Sequence, residues 1–511
     1  MKALAELITP FLKKGEPMKT TLIIGGGVAG LSAGIHLALA GERAMICEQH
    51  TVPGGNLTGW DRGGCHIDNC IHWLTGTNPA SAYYSMWREL GALNGTAILQ
   101  PQTLYTCEHE GESLSLDCDM EKTKQDMLRI SPRDRREILS LFRAIEVLQL
   151  TDGIGGKNFD RGMRLSNIFS LPALFKYLNV TVKQLSRRFR HPLIRKFISS
   201  FWGDDFGALA MLYVFATFMG KNGGIPVGGS RAMAERMANR FTALGGELLL
   251  GKRAVRINRE GKRALSVTFS DGETIEADNF IIAADPASAF GKLLELPPPR
   301  KLGYGRSKNK EKRFSSLQCA FRIDGSTPPW QGDIVLDVPK KHNKLLPSPV
   351  LMAREFSHEE SFAPKDSTVV QTMAFVSEEG AGAFCRLKKK NAAAYRRLKK
   401  RLAAICSKLI EKRFPELSGR ITPLDTWTPA TYKRYTSSEI GSYMSFILPK
   451  GKLPKNKSPR IKGISNVFLA TQWQKEPGGL PIAAERGKRA AELITRRLAA
   501  RAPARRRVAV K

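Results

Sequence analysis

Three glycines near the N-terminus, Gly25, Gly27 and Gly30, stand in G-x-G-x-x-G spacing. Bare backbone in that pattern suits a pyrophosphate. The first glycine permits a tight turn, the second lets phosphate oxygens reach the amides, and the third lets a helix sit close on a strand. Glu48 lies 18 residues beyond Gly30. A carboxylate at that distance accepts hydrogen bonds from a ribose diol and repels a 2′-phosphate, so the implied ligand ends in an unmodified ADP-ribose.

The elements around these residues are the ones such a site needs. "TTLII" ahead of Gly25 is a β-branched, apolar run of strand type, and Leu31, Leu37 and Leu39 recur at helical spacing behind the turn that holds Ala29. "RAMICE" then reads as a second strand ending in Glu48. The order strand, turn, helix, strand makes the glycine pattern far more specific than the glycines alone.

NAD and FAD share the ADP-ribose end, and the residues after Glu48 separate them. Five residues on come Gly54 and Gly55. Here the chain resembles the flavoprotein superfamily that holds amine oxidases, phytoene desaturases and Rab GDP-dissociation inhibitors, in which an acid followed by a double glycine shapes the FAD diphosphate loop. Asn56 stands where that pattern has arginine, so one charge contact must be missing or come from elsewhere. The stretch "GGIPVGGSRAMAERMANRFTALGGELLLGKRAVRINREGKRALSVTFSDGETIEADNFIIAADP", 223–286, has the order the resemblance implies: glycine loop, helix, turn, strand, hairpin, apolar strand. Val255 matches the position whose backbone meets the adenine. The C-terminal "LATQWQKEPGGLPIAAERGKRAAEL" resembles the second flavin signature, with Pro477, Gly478 and Gly479 in a loop and a helix from Leu480 aimed at the flavin. Pro481 suits the first helical turn, where its missing N–H is not needed. This segment is most similar to the phytoene desaturase, carotenoid isomerase and retinol saturase branch, apart from Thr471, Ile482 and Arg486.

The resemblance implies an α/β protein: a GR2-like, Rossmann-type FAD domain assembled from three chain segments, with an inserted α+β substrate domain. We assign 18–119, 223–300 and 426–498 to the FAD domain, 120–222 to a mostly helical insertion, and 301–425 to a substrate-domain sheet and helix. In the first insertion "SPRDRREILSLFRAIEVL" starts with a Ser131 cap and Pro132. The second is expected to hold one long helix, Arg386 to Phe414, with Leu398, Leu402, Ile405 and Leu409 on its buried stripe. Residues 1–17 read either as an amphipathic leader or as an extension ahead of a start at Met18, and 499–511 as a basic tail.

Proton chemistry has its candidates in "GGCHIDNCIHWLTG", 63–76, which matches the superfamily loop that returns beneath the flavin ring. His66, Asp68, His72 and Trp73 are its polar and stacking groups, and a histidine of ordinary pKa suits a general acid. Tyr432, Tyr435 and Tyr443 are candidates for the substrate channel. His72, Asp68 and Tyr432 are the candidate catalytic set.

The formal net charge is +33, which points to an anionic partner. From Arg161 to Gly203 nine Lys or Arg and no acid alternate with Phe169, Leu174, Phe175, Tyr177, Leu185, Phe189, Ile194, Phe197 and Ile198. That composition suits an interfacial face on anionic lipid. No nucleic-acid module accompanies the charge. "FGALAMLYVFATFMG", 206–220, is 15 residues, short of a membrane span and expected as a buried helix. Eight scattered cysteines form neither metal-ligand spacing nor a disulfide framework, which fits reduced thiols in a cytoplasmic protein, and the basic face places it peripherally on the inner face of the membrane.

The resemblance therefore implies an FAD-dependent oxidoreductase acting on carbon–carbon bonds of a lipophilic polyene or isoprenoid, by hydride exchange with flavin N5. A flavin-dependent polyene isomerase and a non-enzymatic lipid binder of the same fold are the rivals. An amine oxidase is disfavoured by the charge, because a cationic amine is a poor partner for so basic a protein.

Overall fold

The computed structural model describes residues 19–149, 171–299, 302, 311–325, 327–346 and 348–501. The leader, most of the basic tail and Phe169 lie outside them.

Thr20–Ile24 is the central strand of a five-stranded, wholly parallel sheet. Its neighbours run in the order Glu247–Leu249, Arg43–Cys47, Thr20–Ile24, Asn279–Ile282, Val467–Leu469. Leu22 and Ile24 point into one apolar core and Ile23 into the other, as a strand covered on both faces requires. One sheet is thus built from three distant stretches of chain. Helix Val28–Leu39 lies across it and packs directly on helix Leu480–Arg501. A Cβ on Gly487 would fall 2.2 Å from the Ala29 carbonyl oxygen, so the two backbones touch. The Ser32 hydroxyl donates to the Ala484 carbonyl across the same contact at 2.7 Å.

The second sheet has seven strands, in the order Ile421–Trp427, Phe314–Asp324, Ser367–Ser377, Val350–Glu355, Asp333–Asp337, Thr103–His109, Glu112–Asp117. The boundary expected at residue 119 does not follow the sheets. Residues 103–117, assigned by sequence to the first FAD segment, pair here, because the hairpin's buried face joins the core of the helical insertion. Helices Met120–Ile130, Arg135–Gln149, Leu171–Leu178, Val182–Ser186, Pro192–Ser200 and Ala208–Met219 make up that insertion among the described residues. Ala208–Met219 is apolar on nearly every side and buried, as befits a helix too short to span a bilayer. No described helix is long and apolar enough to cross a membrane.

Three local expectations are corrected. Ser131 does not cap the helix that follows. Its hydroxyl donates to the Asp134 carboxylate at 2.7 Å, and a short 3-10 turn, Pro132–Asp134, precedes the α-helix. The long helix from Arg386 is two helices, Glu378–Lys390 and Ala392–Arg413. Asn391 breaks it, its side-chain oxygen accepting from the Ala394 amide at 2.8 Å, since asparagine serves an N-terminus better than a helix interior. Finally, the apolar residues of 171–203 do not form an outward face. Leu174, Tyr177, Leu185, Phe189, Ile194, Phe197 and Ile198 are all buried in the insertion's core, and only Phe175 stands out, 63% exposed. The alternation of basic and apolar residues is that of helices with one face inside and one in solvent.

All eight cysteines are free thiols, six of them buried.

Candidate active site

The strand Thr20–Ile24 delivers the chain into a turn held open by glycine. Gly25 has φ 108°, and a Cβ there would sit 2.7 Å from the Ala283 carbonyl oxygen. Gly30 faces the Gly25 carbonyl so closely that a Cβ would stand 1.9 Å from it. Gly27 is different. Its backbone is ordinary, φ −73° and ψ 177°, and a Cβ would find nothing nearer than the Gly54 carbonyl oxygen at 3.7 Å. It is the N-cap of Val28–Leu39 and offers no side-chain cap, so among the described residues no side chain meets the partial positive charge of the helix's first amides, which border the cavity.

Gly54 and Gly55 adopt φ 114° and 64° and lie against this turn, the Gly54 amide donating to the Gly26 carbonyl at 2.8 Å. Glu48 follows the second strand and is buried. One carboxylate oxygen accepts from the Gly26 amide at 2.7 Å and the other from the His50 amide at 3.0 Å. These bonds fix the carboxylate at the cavity wall while leaving each oxygen a further lone pair. The C-terminal loop closes the far side: Gly478 and Gly479 have φ 84° and 93°, and the Gly479 amide donates to the Gln472 side-chain oxygen at 2.9 Å. Helix Leu480–Arg501 begins immediately after.

Of the candidate cofactor-binding and catalytic residues read from the sequence, all but Gly30, Asp68 and Tyr432 line one cavity of about 570 Å³. The exception of Gly30 is geometric, since it packs helix on strand. Val255 lies at the start of the strand Ala254–Glu260 beside Arg253, which carries no ion pair among the described residues. Asn56 also reaches the cavity, but its amide nitrogen donates to the Tyr443 carbonyl at 3.3 Å, so it does not replace an arginine.

Two of the three candidate catalytic residues are engaged elsewhere. Asp68 is buried outside the cavity lining. Its Oδ1 accepts from the Cys70 and Ile71 amides at 2.9 and 3.2 Å and from the Ser230 hydroxyl at 2.6 Å, and its Oδ2 from the Ser230 amide at 2.5 Å. This carboxylate ties the returning loop to helix Gly229–Ala243, and its hydrogen bonds are spent within the protein. Tyr432 is equally committed. Its oxygen accepts from Gln318 Nε2 at 2.8 Å and Trp427 Nε1 at 3.0 Å and meets the Ser316 hydroxyl at 3.1 Å, while its own proton goes to Asn69 Oδ1 at 3.1 Å. Burial pushes its phenol up, so it stays neutral. His66 pairs with Asp61 at 2.7 Å and is not among the cavity-lining residues.

His72 does reach the cavity, with Trp73 next to it. Burial, helped by the nearby Arg354 guanidinium, holds its pKa well below the ordinary histidine value. It therefore offers a neutral imidazole, a hydrogen-bond donor and acceptor, and not the cationic acid expected from sequence. Tyr435 and Tyr443 line the cavity too.

Beyond the glycines the cavity becomes an apolar channel. The seven-stranded sheet turns one face to it, with Phe314, Phe375, Met352 and Met373 on successive strands, and helix Ala208–Met219 supplies Tyr213 and Val214. These residues sit in ordinary strand and helix patterns, so no sequence signal marks them. Lys475 and Asp333 are two charged lining residues that the sequence reading also missed. Lys475 is buried, with Nζ 3.2 Å from Glu485.

Residues 28–495 match the model of the family described as flavin containing amine oxidoreductase. The chain belongs to that family. Prolycopene isomerase from Daucus carota is 24% identical over 84% of this chain and 73% of its own length. Phytoene dehydrogenase from Streptomyces griseus is 24% identical over 95% and 97% respectively. An oxidoreductase structure from Methanosarcina mazei shares the fold with TM-score 0.60 at 15% identity, covering 93% of this chain and all of that one. As a flavin amine oxidoreductase family member the protein is an FAD-dependent oxidoreductase. The cavity fits that cofactor. The uncapped helix amides, the open space at Gly27 and the carboxylate of Glu48 are, in order, what a diphosphate and an unmodified ribose require.

Proposed function

We propose that this flavoprotein adds or removes hydrogen across carbon–carbon bonds of a lipophilic polyene or isoprenoid. The observation that carries the reading is the continuity of one cavity, from the glycine cradle into a channel walled by Phe314, Phe375, Met352, Met373 and Val214. A hydrophilic amine would gain nothing from such walls, whereas an apolar chain is desolvated along its length. The names of the phytoene dehydrogenase and prolycopene isomerase relatives support the same substrate class.

In this reading Gly25, Gly27, Ala29, Gly54 and Gly55 hold the diphosphate, Glu48 the ribose, and the Val255 backbone the adenine. Arg253 replaces the cation that Asn56 does not provide. Gly478, Gly479 and the N-terminus of helix Leu480–Arg501 hold the ring. FAD, when bound, supplies acceptance or donation of a hydride. The protein's part is to align the substrate carbon, exclude water and keep competing proton donors away. The neutrality of His72 and the engagement of Asp68 and Tyr432 fit chemistry that needs no strong acid or base at the channel.

Contact with anionic lipid, where such substrates reside, belongs to the same proposal. It rests on the net charge of +33 and on Phe175 exposed beside Lys176.

The test is anaerobic mixing of the FAD-loaded protein with an excess of polyene or of a primary diamine. Loss of the oxidised flavin band with the polyene and not with the diamine supports the proposal. Bleaching by the diamine alone would replace it with amine oxidation.

A further inference from the structure

The channel is not apolar throughout. On the sheet face turned to it, register places Met352 opposite Met373, and two residues on it places Arg354 opposite Gln371 and Asp333 opposite Arg354. The face therefore changes from thioether and aromatic groups to an ion pair within one step of the pleat. Arg354 and Asp333 have side chains 5% and 4% exposed, joined by Nε to Oδ1 at 2.7 Å and Nη2 to Oδ2 at 2.9 Å. The remaining guanidinium nitrogen, Nη1, is buried and has no hydrogen-bond partner among the described residues. Asp333 lines the cavity, and so does His72, whose ring makes no hydrogen bond among the described residues.

Resting on the channel as the substrate site, we infer that the substrate carries a neutral oxygen function, an alcohol or carbonyl, that docks between His72 and Asp333. A buried ion pair gains little over well-packed apolar residues, so its presence in an apolar wall calls for a reason other than stability. The Asp333 carboxylate and the free imidazole, both at the cavity wall, supply one. A pure hydrocarbon leaves the imidazole desolvated and unpaired, which is the arrangement that discriminates most strongly against a ligand lacking the polar group. A carboxylate is the wrong partner as well. The Arg354 charge is already matched by Asp333 through two hydrogen bonds, so an incoming anion would be buried without a counter-charge of its own. A hydroxyl can accept from the imidazole and donate to Asp333, adding no charge.

The experiment is equilibrium binding of tritiated geranylgeraniol to the FAD-loaded full chain, in competition with geranylgeranoic acid and with a C20 hydrocarbon of the same skeleton. The alcohol is expected to bind about tenfold or more tightly than either competitor, the worth of one hydrogen bond to a charged or otherwise unpaired group. His72→Phe is expected to narrow the ratio of alcohol to hydrocarbon affinity. A hydrocarbon that competes as well as the alcohol, with the same ratio in the variant, would overturn the inference while leaving the channel intact. Preference for the acid would overturn it equally. If none of the three binds, the channel reading falls and the inference with it.

Discussion

Gly27→Ala separates the cofactor cradle from the fold that carries it. The native backbone at this position, φ −73° and ψ 177°, is open to any residue, and the added Cβ lies in ordinary contact with the Gly54 carbonyl oxygen at 3.7 Å. Restricting the unfolded chain stabilises by about 0.4–1 kcal/mol. Alanine is a poorer N-cap than glycine by a similar amount, so the apoprotein should melt within about 1 kcal/mol of wild type. The methyl group stands where a diphosphate would approach the helix amides. Loss of one charge-assisted hydrogen bond costs about 1.5–3 kcal/mol, which weakens FAD about 10- to 150-fold. The assay is titration of flavin-stripped protein with FAD, followed by quenching of flavin fluorescence, beside thermal melting of the apoprotein. Gly30→Ala is the control. Its Cβ would meet a carbonyl oxygen at 1.9 Å, so there the apoprotein itself should lose stability. An unchanged FAD affinity in Gly27→Ala would refute the placement of the diphosphate.

Tyr432→Phe should cost about 1–3 kcal/mol in denaturant unfolding, because Gln318 and Trp427 lose a buried acceptor; flavin content and turnover per folded molecule should hold, and a selective loss of turnover would restore Tyr432 as catalytic. Three histidines, His36, His72 and His358, have pKa values lowered by burial. In each the unfolded state binds a proton that the folded state refuses, so stability should fall as pH drops below about 6.5, by at most about 1.4 kcal/mol per unit for each fully displaced proton. Glu359, pushed up by burial, opposes this above about pH 4.5 as a single group. Denaturant midpoints at pH 5.5 and 7.5 check the sum, and equal midpoints would contradict it. Phe175→Ser should reduce flotation with vesicles rich in anionic lipid and leave neutral vesicles unaffected; equal flotation of both proteins would remove Phe175 from the membrane contact.

The parallel sheet and its cradle were legible because their constraints are local. Only glycine tolerates the backbone at Gly25 and the approach at Gly30, and the strand and helix patterns beside them come from the same few residues. The proton chemistry was not legible. Asp68 and Tyr432 look available in sequence because their partners, Ser230, Gln318 and Trp427, lie on other elements. His72 has the residue type of an acid, but burial and Arg354, 282 positions further along the chain, set its charge. The same non-locality hid Asp333 and Arg354, which meet only through strand register. The break at Asn391 could have been found, since asparagine after three lysines is a stop and a start in one residue. The basic stretch misled for the opposite reason: helix amphipathicity gives the same pattern whether the apolar face meets a lipid or a protein core.

Hydride exchange with a polyene stands or falls on the mass of the product after one anaerobic turnover, with enzyme in excess over the substrate. The product should be lighter by two hydrogens with oxidised FAD as it is bleached, or heavier by two with reduced FAD as it is reoxidised. A product of unchanged mass and altered double-bond geometry would contradict net redox chemistry and assign the protein to isomerisation.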